Sequence, residues 1–253
     1  MTEEQLKFVE PILNTFENDD IKDFATEILN NLPSYIWEVG ASSTGKYHPA
    51  YTVGVLGLMK HQVAVCRFIN FFFELEQYKN RFDSRQRDLL RLAALTHDGR
   101  KSGSQEDYEK SKYTKFEHPL LMAKVYMSYK DKNFLSEEEL KYIAVAITKH
   151  MGQWNTDNRC QFALPKPSDE ASELLHLADY LASRKCLNMS FDDYVVPKEE
   201  LPDIDPEDYV ITFGKHSGSA LKDVPKSYLS WLSNQDLKEP LKTFVKQILE
   251  RGN

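Results

Sequence analysis

The sequence predicts a mainly α-helical domain over residues 1–195, an acidic linker at 196–208 and a small α+β domain at 209–253. Three observations predict this. Before Phe191, nearly every segment of any length carries apolar residues at helical spacing. Hydrophobic residues make up 41% of the 253 positions and aromatics 12%, enough for a real core. After Phe191 the character changes, and "VPKEELPDIDPED" brings three prolines and an excess of acid.

The elements follow in order. "EEQLKFVEPILNTF" and "DDIKDFATEILNNL" read as amphipathic helices. The glycine- and serine-bearing "EVGASSTGKYHP" reads as a loop. "TVGVLGLMKHQVAVCRFINFFFELE" is apolar on nearly all sides and is expected at the centre of the bundle. Residues 85–98 form a further helix, and the polar, breaker-rich 99–117 a loop. Pro119 suits the first helical position of the next helix, "HPLLMAKVYMSY". Ser136 and Glu139 have the spacing of a capping box, opening "SEEELKYIAVAITKH". A loop with two prolines leads to the helix "SDEASELLHLADYLASRKC". Past the linker, "YVITFGKHSGSALKDVP" reads as two short strands about a turn, and "KSYLSWLSNQ" and "EPLKTFVKQILERG" as helices.

Charge and composition narrow the function classes. A net charge of -7 disfavours coating duplex nucleic acid by bulk electrostatics. The balance is uneven: residues 211–253 hold seven Lys/Arg against four Asp/Glu, so the acid excess lies before them. No apolar run reaches the length of a membrane span, and the acidic amphipathic start lacks the features of a signal peptide. Cys66, Cys160 and Cys186 have no metal-type spacing and read as free thiols of a reducing cytoplasm.

The histidines carry the chemistry. Six of seven lie between residues 48 and 176. His61 sits on a stripe with Leu58 and Val65, His97 with Leu90, Ala93 and Ala94, and His150 with Ile143 and Ile147. Asp179 sits with Leu175 and Ala182. A single such histidine reads most simply as a hydrogen-bonded core residue. A carboxylate on an apolar face demands a cation, a donor or a metal. Four helices each aiming a polar residue along an apolar face are how a bundle holds a divalent metal.

The ordered set "GLMKHQ", "ALTHDGRKSG", "FEHPLL", "AITKHMGQW" and "LLHLADYLASRK" resembles the HD-domain metal phosphohydrolases over residues 47–185. The resemblance implies a helical bundle whose metal ligands are His61, His97, Asp98 and Asp179. In the two-metal subgroup His118 and His150 join them, and Asp98 bridges the ions. HD-class diadenosine tetraphosphate hydrolases, HD-class 3'–5' exoribonucleases and phage-encoded HD proteins are similar in different segments. Many relatives read His-Asp-x-Gly-Lys; here His97-Asp98-Gly99-Arg100-Lys101 moves the glycine and keeps the lysine.

The resemblance implies two divalent transition-metal ions, manganese, iron, cobalt, nickel or zinc, and attack on phosphorus by a metal-bound hydroxide. Asp98, Lys101 and Arg100 are the catalytic candidates, the two cations meeting phosphate charge. His48, Gln153, Trp154 and Arg184 are candidate substrate contacts, and His176 a residue supporting a ligand or the core. The expected substrate is a nucleotide or dinucleotide, cleaved at a phosphate ester or anhydride bond. The alternative is a 3'–5' exonuclease on single-stranded RNA or DNA. The segment "ITFGKHSGSALKDVPKSYLSWLSNQ" resembles the C-terminal domain of exodeoxyribonuclease X. There Lys215, His216, Lys222 and Lys226 are candidate nucleic-acid contacts. Phe213, Tyr228, Leu229 and Trp231 read as core or as a base-stacking platform. Expected location is the cytoplasm, or a host cytoplasm if the chain is viral, with no membrane partner and a homo-oligomer left open.

Overall fold

Helices α1 (Glu3–Leu13) and α2 (Asp19–Asn31) are joined by a turn that is held from elsewhere in the chain. Asp88, fully buried in α4 (Ser84–Thr96), accepts the backbone N–H groups of Glu17 and Asn18 at 2.8 and 2.7 Å. Its other oxygen accepts from Arg91 Nη1 at 2.6 Å, and Arg91 Nε donates to Asn70 Oδ1 at 2.7 Å. Asn18 makes no side-chain cap of its own; its Nδ2 instead donates to Asp88 at 2.8 Å, so Asp88 holds the backbone and side chain of the residue that leads into α2.

This computed structural model describes residues 1–42, 48–194, 204–235, 237 and 240–251. Its chain divides into two compact units, 1–196 and 197–253. In the first, α3 (Gly57–Glu74) lies between α4 and α8 (Glu170–Ala182). The helix α7 (Glu137–Lys149) packs on α4, α8 and α6 (His118–Met127). Twelve of the eighteen residues of α3 are buried, as its all-round apolar sequence predicts for a central helix. Asp83 with Gln86, Ser136 with Glu139 and Asp169 with Ser172 close capping boxes that start α4, α7 and α8 sharply. At the other end of α4, Thr96 Oγ1 donates to Leu92 O at 2.8 Å and therefore accepts from Tyr126 OH at 2.6 Å, tying α4 to α6.

Two expectations are corrected. Residues 99–117 are not loop throughout: α5 (Gln105–Lys110) forms there because Ser104 and Asp107 make a reciprocal capping box. In the second unit no strand forms among the described residues, so the two strands expected there are not found. The anticipated hairpin shrinks to one antiparallel bridge, Val210 with Ala220, flanked by Ile211 N to Ser219 O at 2.9 Å and Leu221 N to Tyr209 O at 2.9 Å. Turns occupy most of 212–218, and a 3-10 turn begins at Leu221, so the arms are too short for a ladder. The unit's core is Ile211, Leu221, Val224, Leu229 and Leu232 against Leu241, Phe244 and Val245 of α10 (Leu241–Arg251). Helix α9 (Lys226–Leu232) supplies Leu229 and Leu232 to it. Residues 196–203 of the predicted linker lie outside the described residues. No described helix is long and apolar enough to cross a membrane.

Candidate metal centre

Helix α4 stops at Thr96, and His97 caps it in helical conformation. The next residues fold back through three short turns, Gly99 N to Thr96 O at 2.8 Å, Lys101 N to Asp98 O at 2.9 Å and Gly103 N to Arg100 O at 2.8 Å. Tyr35 clamps this segment: its hydroxyl donates to Gly103 O at 2.9 Å and accepts from Ser102 N at 3.0 Å. The histidine and the aspartate are thus fixed at the buried end of a helix, which answers to their adjacency in the sequence.

Three histidines share one device. Nδ1 of His97 faces Ala94 O at 2.8 Å, Nδ1 of His118 faces Lys115 O at 2.7 Å, and Nδ1 of His150 faces Ile147 O at 2.7 Å. A carbonyl cannot donate, so each Nδ1 carries the proton and each Nε2 presents a bare lone pair. Those lone pairs converge on carboxylates. His118 Nε2 lies 3.0 Å and His150 Nε2 3.9 Å from Asp98 Oδ1. His97 Nε2 lies 3.7 Å from Asp98 Oδ2 and 3.7 Å from Asp179 Oδ1. His61 Nε2 lies 2.9 Å from Asp179 Oδ1. The four rings stand edge to face in a chain, with centroids 5.5 Å apart for His61–His97, 4.9 Å for His97–His150 and 5.4 Å for His118–His150.

The donor atoms of His61, His97 and Asp179 lie within 4.8 Å of one another, as do those of His97, Asp98 and His150. His97 Nε2, His118 Nε2 and Asp98 Oδ1 are buried with no hydrogen-bond partner. Orphaned acceptors crowded on one point repel one another, and a cation removes both costs. Imidazole nitrogens and carboxylate oxygens are the donor set of a divalent transition metal, so these residues fit one. Electrostatics agree. Burial holds His97 below the ordinary imidazole range, and burial with the neighbouring His97 brings His150 down to about 3, so both are neutral and ligand-ready. Burial raises Asp98 and Asp179, but their neighbours overcome it. Lys101 keeps Asp98 ionised, and the His61 imidazole, 2.9 Å from Oδ1, keeps Asp179 ionised.

A cavity of about 570 Å³ opens on this cluster. His61, Asp98, His118, His150 and Asp179 line it, with His97 buried behind them. Lys101 lines it too and pairs with Asp98 Oδ2. His48 lines it, 3.4 Å from Ser183 Oγ, its pKa lowered to about 4, chiefly by burial and then by His61 and Lys101. Trp154, 42% exposed, and Arg184 stand at the same cavity. Trp154 stacks on Tyr180 at 5.7 Å and 16°, and the Arg184 guanidinium lies 4.3 Å over the Tyr180 ring.

Other sequence candidates fall elsewhere. Arg100 does not reach the cavity and lines a separate pocket with Lys124. Gln153 is exposed and is not among the residues lining the cavity. His176 stands outside the clustered donor groups and does not line the cavity; its Nδ1 faces His150 O at 2.7 Å, which positions the turn after α7. Gly152, at φ 54, packs on that ring, and a Cβ there would lie 2.1 Å from His176 Cε1. In the second unit Lys215 is exposed, Lys222 pairs with Asp208 at 2.7 Å, and His216 meets the Tyr228 ring edge-on at 4.5 Å. Lys226 is exposed at the start of α9. Leu229 is core as read, whereas Phe213 and Trp231 are 47% and 53% exposed. Sequence reasoning missed Tyr35, Thr114 and Ser183. Ser183 was recoverable, one helical turn after Asp179; Tyr35, far away in the chain, left no signal.

Residues 58–184, half of the chain, match the HD domain. No curated protein and no solved structure gives a significant match. The matched span begins and ends in α3 and just beyond α8 and takes in every histidine and carboxylate of the cluster. The chain belongs to the HD-domain family, and is by that membership an enzyme of the metal-dependent phosphohydrolase class.

Proposed function

We propose that the cluster holds two divalent transition-metal ions and hydrolyses a phosphate ester or anhydride bond of a nucleotide or dinucleotide. The observation that carries this reading is the disposition of Asp98. Its Oδ1 faces His118 and His150 and its Oδ2 faces His97, the arrangement of a carboxylate shared between two ions. His61, His97 and Asp179 would complete one set of ligands, and His118 and His150, both facing Asp98 Oδ1, the other. Such ions, when bound, acidify water and polarise phosphoryl oxygens.

The chain's own residues do the rest. The three Nδ1–carbonyl contacts fix ring orientation, so the Nε2 lone pairs need no reorganisation. Lys101 brings an ammonium beside Asp98 and neutralises charge on a bound phosphoryl group. The Arg184 guanidinium lies over the Tyr180 ring, and its Nε donates to Tyr180 O at 3.1 Å, which leaves its two terminal nitrogens for a second phosphate. The exposed indole of Trp154 offers a stacking face for a base. His48, neutral at pH 7, contributes hydrogen bonding rather than charge.

A second reading, a 3'–5' exonuclease on single strands, is favoured by one observation. Trp231 stands exposed beside Tyr228 at 5.3 Å and is joined through it to His216, an aromatic surface of the kind that stacks bases. The test offers the purified protein with manganese a panel of nucleotides and dinucleotides and end-labelled RNA and DNA oligomers, with Asp98→Ala as control. Turnover of a small nucleotide with intact oligomers is expected. Laddered shortening of oligomers, absent from the control, replaces the first reading with the second.

A further inference from the structure

The turn that carries Asp98 has an outer side. Lys101 faces the central cavity, but Arg100 faces away from it into an open pocket of about 320 Å³. Gly103 and Ser104 form one wall, and Lys124 and Ser128 of the α6 end form another. Gly103 has φ 89, and a Cβ there would lie 2.5 Å from Asp107 Oδ2, so the wall requires glycine.

Two cations look into this concavity with nothing to hold. Neither Arg100 nor Lys124 makes a side-chain hydrogen bond or ion pair with a described residue, and Arg100 Nε is buried without a partner. An unpaired guanidinium N–H out of water is costly, and an oxyanion is its natural partner. The one carboxylate lining the pocket, Asp107, is already engaged. It pairs with Lys115 at 2.8 Å and accepts from Ser104 N at 2.9 Å and Ser104 Oγ at 3.0 Å. It therefore leaves Arg100 and Lys124 uncompensated.

We propose that this pocket is an oxyanion site that takes a phosphate group, with Arg100 as a bidentate donor and Lys124 as a point charge. The occupant sits on the turn whose other side presents Asp98 and Lys101. That turn is braced by Tyr35 and by Lys115 N to Lys101 O at 2.8 Å. The site is separate from the metal cluster and stands whether or not the proposed hydrolysis is correct.

The test uses the full chain stripped of metal on a chelating resin, so that no ion retains phosphate at the central cluster. Calorimetric titration with pyrophosphate is compared across variants, each checked by circular dichroism and thermal unfolding. Wild type is expected to bind. Arg100→Gln is expected to weaken binding by about tenfold or more, as loss of a charge-assisted hydrogen bond implies. Lys124→Glu, on the exposed face of α6, is expected to abolish it and keeps the test decisive should Arg100→Gln fail to fold. Lys101→Gln and Arg184→Gln leave binding unchanged. Absence of binding in wild type overturns the proposal. So does loss with Lys101→Gln or Arg184→Gln but not with Lys124→Glu, since the anion is then in the central cavity. Equal affinity for orthophosphate and a nucleoside diphosphate, both lost in Lys124→Glu, identifies a free phosphate as the occupant. Tighter binding of the diphosphate, lost in the same variant, identifies the phosphate of a larger ligand.

Discussion

An imidazole offers a metal its lone pair only when its proton is engaged elsewhere. His97, His118 and His150 each engage it with the carbonyl three residues back, a partner that their own helix or turn supplies. The backbone that places the ring therefore also sets its tautomer. The cost is proton-linked. Burial disfavours the charged form, so His150 titrates near 3 and His48 near 4 in the folded chain, against about 6.5 for an unperturbed histidine. Between those values the unfolded chain binds more protons than the folded one, so stability rises with pH across the window. Asp98 and Asp179, held low, lose their contribution only below the ordinary carboxylate range, in the same direction. The metal-free chain is therefore expected to unfold at lower urea at pH 5 than at pH 7 at fixed ionic strength. An equal or higher midpoint at pH 5 contradicts this account of the buried imidazoles.

At the scale of the element, the sequence was most legible where period and chemistry coincide. His61, His97, His150 and Asp179 each continue the apolar stripe of a long helix, and the structure gathers them into two adjoining groups that share His97. It was least legible where side chains act across the chain or where elements are short. Six residues of α5 show no apolar period and bury none of their own, so only the Ser104–Asp107 spacing marked them. The bridge at Val210 and Ala220 looked like two strands because alternation alone does not reveal how many residues a turn consumes. Arg100 follows Asp98 by two residues, yet the turn sends it to the opposite side from Lys101. The Asp88–Arg91 pair is spaced i, i+3 on a helix, which a sequence cannot distinguish from a surface pair; the structure buries it beneath the α1–α2 turn. Removing one partner of a buried pair strands the other, so Asp88→Ala is expected to cost about 3 kcal/mol in urea unfolding. Metal content per folded chain should be unchanged. A loss below about 1 kcal/mol, the range of an exposed pair, contradicts the role assigned to this network.

For the whole molecule, one unit carries the HD domain and its cavity, and the other has its own small core around Ile211 and Phe244. The acid excess lies before residue 211, while the last 43 residues are basic on balance. The acidic part suits a compact ligand better than bulk attraction to a polymer, and the basic end is the part that the exonuclease reading would use to hold a strand. At the centre of the molecule's proposed chemistry is a His–Asp cluster that would hold two ions, with Asp98 common to both. Metal analysis of the manganese-loaded, desalted protein tests it most directly, comparing wild type with His118→Ala and Asp98→Ala. Two ions per chain are expected in wild type, one in His118→Ala and none in Asp98→Ala, with all three folded by circular dichroism. Undiminished metal content in folded Asp98→Ala contradicts the claim.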